Sequence, residues 1–135
     1  TKVVALTDVN RFFTIDSAIS KYFSYITLKD NESLLKILDE DYIERNNITT
    51  SNISNFVGNY DANIRSSLEE AYQVSSYNNV YKYYVKVVLK EETLYDSTLH
   101  GYVYYIVTIN ENELTFAIEP ISDIIYSNKV KGVES

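Results

Sequence analysis

The 135-residue chain is 45% hydrophobic and 23% charged, the balance of a folded domain and not of a disordered segment, and it is long enough for one core without cross-links. Nineteen Asp and Glu against twelve Lys and Arg leave a formal net charge of -7, which repels a phosphate backbone and removes nucleic acid from the expected partners. The absence of cysteine excludes disulfides, thiolate catalysis and thiolate metal sites, and no apolar run approaches the roughly 20 residues that a membrane-spanning helix needs.

In "TIDSAISKYFSYITLK" the residues Ile15, Ala18, Ile19, Tyr22, Phe23 and Ile26 recur at three and four, which predicts a helix with one buried face, capped by Thr14 and carrying Asp16 in its first turn. "DNESLLKILDEDYIERNN" opens with the cap-type residues Asp30 and Asn31 and places Leu34, Leu35, Leu38 and Tyr42 at helical spacing, so a second helix is expected there. Its run Asp39, Glu40, Asp41 does not converge on one cation, because adjacent helical residues point about 100 degrees apart, and it reads as a solvated helix end. "ITTSNISNFVGNYD" predicts a short third helix capped by Thr50 or Ser51 and ending near Gly58. Residues 62 to 77 fit either a helix or a strand; a strand from Leu68 to Tyr77 is preferred because it runs into the turn-like "YNN".

The period then changes to two. In "VYKYYVKVVLKE", Tyr81, Tyr83, Val85, Val87 and Leu89 fall on one face, while Lys82, Tyr84, Lys86, Val88 and Lys90 fall on the other, which the lysines mark as the outer one. "TLHGYVYYIVTI" sets Leu99, Gly101, Val103, Tyr105, Val107 and Ile109 inward and His100, Tyr102, Tyr104, Ile106 and Thr108 outward. After the turn "NEN", the stretch "ELTFAIEPI" is expected to place Leu114, Phe116 and Ile118 inward and to stop pairing at Pro120, which lacks a ladder donor. The tail from about residue 127 is polar and expected to fray.

Helices first and hairpin-linked strands afterwards predict an α+β domain spanning residues 1–135, with N-terminal helices on one face of a curved, cone-like antiparallel sheet of about four strands. On "TIDSAISKYFSYI", "SLLKILDEDYI", "VYKYYVKVVLK", "HGYVYYIVTI" and "LTFAIEPI" the chain resembles the nuclear-transport-factor-like, or cystatin-like, superfamily. It also resembles extracytoplasmic domains of bacterial conjugation and secretion machines, a likeness that includes its acidic, cysteine-free composition and its start at Thr1 without a methionine. The Asn-, Ile-, Lys- and Tyr-rich composition is that expected of an AT-rich bacterial genome. These likenesses imply an extracytoplasmic or cell-surface setting, with any membrane attachment made by an anchor outside this chain.

Enzymatic members of that superfamily place acids, histidines or tyrosines inside the cone. Here the inward phase supplies tyrosines but no acid, and Asp16 lies off the apolar face of its helix. His100 is the sole histidine, which leaves too few imidazoles for a zinc site, and the three isolated glycines form no phosphate loop. No catalytic residue, metal or cofactor is therefore assigned, and the expectation leans away from an enzyme. Inward Tyr22, Tyr81, Tyr83 and Tyr105 read as core, or alternatively as the lining of a small-molecule or isomerase-like pocket. Outward Tyr84, Tyr102, Tyr104, Val88 and Ile106, edged by Lys82, Lys86 and His100, form an aromatic and aliphatic stripe suited to a protein partner or to self-association. The expected function is thus non-enzymatic protein interaction or assembly.

Overall fold

The first helix starts earlier than its apolar spacing suggests. In the computed structural model, which describes residues 3–126, a two-residue strand β1 (Val4–Ala5) is followed by α1 (Val9–Leu28), capped by Asp8, whose side chain accepts from the Arg11 N–H at 3.2 Å. Thr14, the expected cap, lies inside α1 with its hydroxyl donating to the Asn10 carbonyl at 3.0 Å. The predicted stripe of Ile15, Ala18, Ile19, Tyr22, Phe23 and Ile26 is buried throughout.

The one helix expected across residues 30 to 47 is two. After α2 (Asn31–Ile37), Leu38 turns extended and bridges Ile118 in parallel, and the Asp39 N–H donates to the Ile118 carbonyl at 2.9 Å. Leaving the helix lets Leu38 bury its side chain and lets the Asp39 N–H take up a sheet-edge acceptor. Asp39 then caps α3 (Glu40–Asn46) by accepting from the Tyr42 N–H at 3.1 Å, so the acidic run stands at a helix start, where the dipole favours it. Neither Thr50 nor Ser51 caps α4 (Ser54–Val57): its N-cap position is Ile53, without a side-chain bond, and Asn52 instead folds back to accept from the Thr49 N–H at 2.7 Å. Gly58 closes α4 at φ 84, a backbone region that strains any other residue.

The remaining strands are β2 (Ile64–Tyr77), β3 (Val80–Glu92), β4 (Ser97–Asn110), β5 (Thr115–Pro120) and β6 (Ile125–Tyr126). They form one antiparallel sheet in the order β1-β2-β3-β4-β5, with β6 also pairing β4. The sheet has six strands and not about four, because two-residue strands extend it at each side of the longer set. Residues 62 to 77 resolve as strand from Ile64 onward, and Asn78 and Asn79 turn the β2–β3 hairpin at φ 50 and 63, as a type I′ turn demands. Leu114, expected inward, is 88% exposed at φ 56, since the chain is still turning there; Phe116 and Ile118 keep the expected phase and Pro120 ends β5. Expectations for the tail from 127 lie outside the described residues.

The alternation predicted for β3 and most of β4 holds. Tyr83, Val85, Val87, Leu89, Val103, Tyr105, Val107 and Ile109 join the buried stripe of α1 in a single core. Each large apolar side chain placed there contributes about 1.5–3 kcal/mol. The alternation fails at one point. Leu89 faces Gly101 while Lys90 faces Leu99, so His100 is the surplus residue of a bulge, and Leu99 is turned to the outer face instead of the core. Beside that bulge β6 packs so closely on Gly101 that a Cβ there would run into the Ile125 carbonyl. Gly101→Ala should therefore lower stability by about 1–3 kcal/mol through forced displacement of β6, measured by urea denaturation; an unchanged midpoint would show that β6 yields freely.

Candidate functional site

Seven of the eight residues expected on the outer face are there: Lys82, Tyr84, Lys86, Val88, Tyr102, Tyr104 and Ile106 alternate with the core residues of β3 and β4, and no described helix joins them. Cross-strand pairing sets Lys86 opposite Tyr104 and Val88 opposite Tyr102. The rings of Tyr84 and Tyr104 lie 5.7 Å apart, tilted by 37°, and the Lys86 ammonium sits 4.5 Å above the centre of Tyr102. Lys86 also bridges Glu69 at 2.9 Å, and this carboxylate is the main reason its pKa is raised, so the lysine stays charged.

Three residues of this face escape a reading based on strict alternation. Bulges at Glu69 and Val74 shift the register of β2, turning Ala71 into the core and Tyr72 outward, opposite Tyr84. The Tyr72 hydroxyl donates to Glu70 at 2.9 Å, so Tyr72, Glu69 and Glu70 extend the Tyr84–Lys86 cluster on the β2 side. Their signal is faint in sequence, because the bulge can be located only once β3 is known to lie alongside.

The eighth candidate, His100, is not on the outer face. Its bulge directs the ring to the helix side, between Tyr60 at 6.4 Å and Tyr126 at 5.4 Å, with Nδ1 4.0 Å from Glu91. Asp16, expected off the apolar stripe, makes an edge contact: it accepts from the Leu68 N–H at 2.9 Å, satisfying a donor exposed by the Glu69 bulge.

The four inward tyrosines divide between two places. Tyr81 and Tyr83 surround Arg11 of α1. Its guanidinium lies 5.0 Å over Tyr81, donates to the Tyr83 hydroxyl at 2.7 Å and pairs with Glu111. Burial raises the Tyr83 pKa and the arginine partly offsets it. Tyr22 and Tyr105 pack edge to face at 5.1 Å and line a cavity of about 340 Å³, together with Phe56, Tyr60, Val103 and Asp123. Burial drives the pKa of Tyr22 and of Tyr105 well up and that of Tyr60 to about 12, so all three stay protonated donors at neutral pH.

Among the described residues no group of three or more metal-ligating side chains gathers, and no helix is long and apolar enough to cross a membrane. No protein-family model, curated protein or solved structure matches the chain. Arg11 thus reads as a strut that ties the start of α1 to the turn end of β3 and β4. Arg11→Ala should cost about 1–3 kcal/mol of unfolding free energy, because the Tyr83 hydroxyl and the Glu111 carboxylate lose a charged partner. Chemical denaturation measures that loss, and the NMR signals of Tyr84 and Tyr104 should stay in place.

Proposed function

We propose that the chain is a non-enzymatic protein-interaction domain that engages a protein partner, or a second copy of itself, through the outer face of β2, β3 and β4. The observation that supports this is the ordered cluster of Tyr72, Tyr84, Tyr102 and Tyr104 around Lys86, on a sheet face that no described element covers. Tyrosine buries a large area at low entropic cost, and here its rings are already held by neighbours, so little ordering remains to be done on binding. Tyr84, 38% exposed and paired with Tyr104, is the natural centre of such a contact.

The setting belongs to the same proposal: an extracytoplasmic, membrane-attached position in a bacterial conjugation or secretion apparatus is what the likeness in element order, composition and charge supports. The -7 net charge favours partners that offer a basic or apolar surface. Lys82 and Lys90, which make no ion pair among the described residues, place positive charge on the outer face beside the Glu69–Lys86 pair, which helps fix the register of a bound partner.

Replacing both Tyr84 and Tyr104 with Ser should weaken association about tenfold or more, with the fold unchanged by circular dichroism. Sedimentation equilibrium reads self-association, and cross-linking in the native cell reads a foreign partner. Association equal to that of the parent in both would overturn the proposal.

A further inference from the structure

The free edge of β5 carries an inference separate from the outer face of β2, β3 and β4. Along an antiparallel strand, successive residues point their N–H and C=O to alternate sides. The Ile118 carbonyl accepts from the Asp39 N–H on the side away from β4, so the N–H and C=O of Phe116, two residues earlier, point the same way. Neither has a backbone partner among the described residues. Elsewhere this edge is closed: Leu38 bridges Ile118, Pro120 has no N–H, and the chain has turned away at Leu114, φ 56. One rung is left, at Phe116, between Thr115 and Ala117.

Side-chain space lies on both faces of that rung. Phe116 points to the helix side and lines a groove of about 420 Å³ with Phe13, Thr14, Ser17, Ala18 and Lys21 of α1. The Phe13 ring is 62% exposed there. Thr115 and Ala117 point to the opposite face, where they line a cleft of about 390 Å³. That cleft gathers Asp39, Glu40, Asp41 and Glu113 against one cation, Lys36. Asp39 is engaged by the Tyr42 N–H, while Glu40, Asp41 and Glu113 make no ion pair among the described residues.

We infer that the β5 edge takes an extended segment of a protein partner, antiparallel to β5, with an apolar residue between two basic ones. The middle residue exchanges both main-chain hydrogen bonds with Phe116, and its side chain falls on the same face as the Phe116 ring, in the groove. Its two neighbours project to the other face, into the carboxylates. Lys21 in the groove disfavours a basic residue at the middle position, and the cleft disfavours acids beside it. Leu38, extended beside Ile118, is the protein's own use of this edge and limits the contact to three residues, since a longer strand would meet it.

The test titrates the full chain with acetyl-Gly-Lys-Val-Lys-Gly-amide and follows backbone amide signals by NMR. The Phe116 amide signal should move and its hydrogen exchange should slow. The peptide should bind about tenfold tighter than its form N-methylated at valine, which cannot donate to the Phe116 carbonyl, and tighter than its counterpart with Glu in place of Lys. Asp41→Asn combined with Glu113→Gln should weaken binding about threefold or more, with the fold unchanged by circular dichroism. Tyr84→Ser combined with Tyr104→Ser should bind the peptide as the parent does, because the rung lies off the outer tyrosines. An unmoved Phe116 signal, equal binding by the N-methylated or the glutamate peptide, or undiminished binding by the carboxylate variant would each overturn the inference. So would loss of binding in the tyrosine variant, which would place the peptide on the outer face.

Discussion

Helix α1 lays Ile15, Ile19, Tyr22 and Phe23 against the inward residues of β3 and β4, and almost everything else in the molecule follows from this one-sided burial. A sheet pressed on one face must leave its other face to solvent or to a partner, unless a further layer is supplied. The described residues supply none. Tyrosine on both faces of β3 and β4 therefore means two different things. Inside, Tyr83 and Tyr105 fill the core and need partners for their hydroxyls; outside, Tyr84 and Tyr104 keep theirs in water and offer their rings.

Bulges decide which residues reach which face. At Glu69 one extra residue sends Ala71 in and Tyr72 out, and brings Glu69 within reach of Lys86. At His100 one extra residue sends Leu99 out and carries the imidazole to the helix side, beside Tyr60 and Tyr126. Both bulges serve ends that the regular ladder cannot. The first releases the Leu68 N–H for Asp16 of α1, adding a hydrogen bond between helix and sheet beside the buried Leu68 side chain. The second lies beside Gly101, whose missing side chain admits β6 and thereby forms one wall of the cavity.

Features that depend on periodic burial were legible in the sequence. The α1 stripe and the two phases of β3 and β4 are repeated signals, since the same hydrophobic contact recurs every turn or every second residue and a single irregular residue barely dilutes it. Features set by one distant partner were not. Leu38 breaks a helical pattern because Ile118, eighty residues on, offers an edge carbonyl. Asp8 and not Thr14 caps α1, and the extra turn carries Arg11, whose partners Tyr83 and Glu111 lie some seventy and one hundred residues on. The same limit applies to the candidate sites: seven of the outer residues follow from alternation alone, but sorting Tyr81 and Tyr83 to Arg11, and Tyr22 and Tyr105 to the cavity, requires knowing where an arginine from another element comes to rest.

The two candidate sites share β4 without sharing side chains. The backbone N–H of Tyr104 donates to Ser122 at 3.0 Å, and Ser122 lines the cavity, so the segment that closes the cavity hangs from the same strand that presents the outer tyrosines. Substituting the tyrosine side chains on either face leaves that bond intact, because its donor is the main-chain N–H of Tyr104 and its acceptor the Ser122 hydroxyl. A substitution at Tyr104 thus reports on the outer face and one at Tyr22 on the cavity. A change at Ser122 would weaken the support of both, since it removes one of the bonds, beside that of the Ile121 N–H to the Tyr104 carbonyl, that hold residues 120 to 126 over β4.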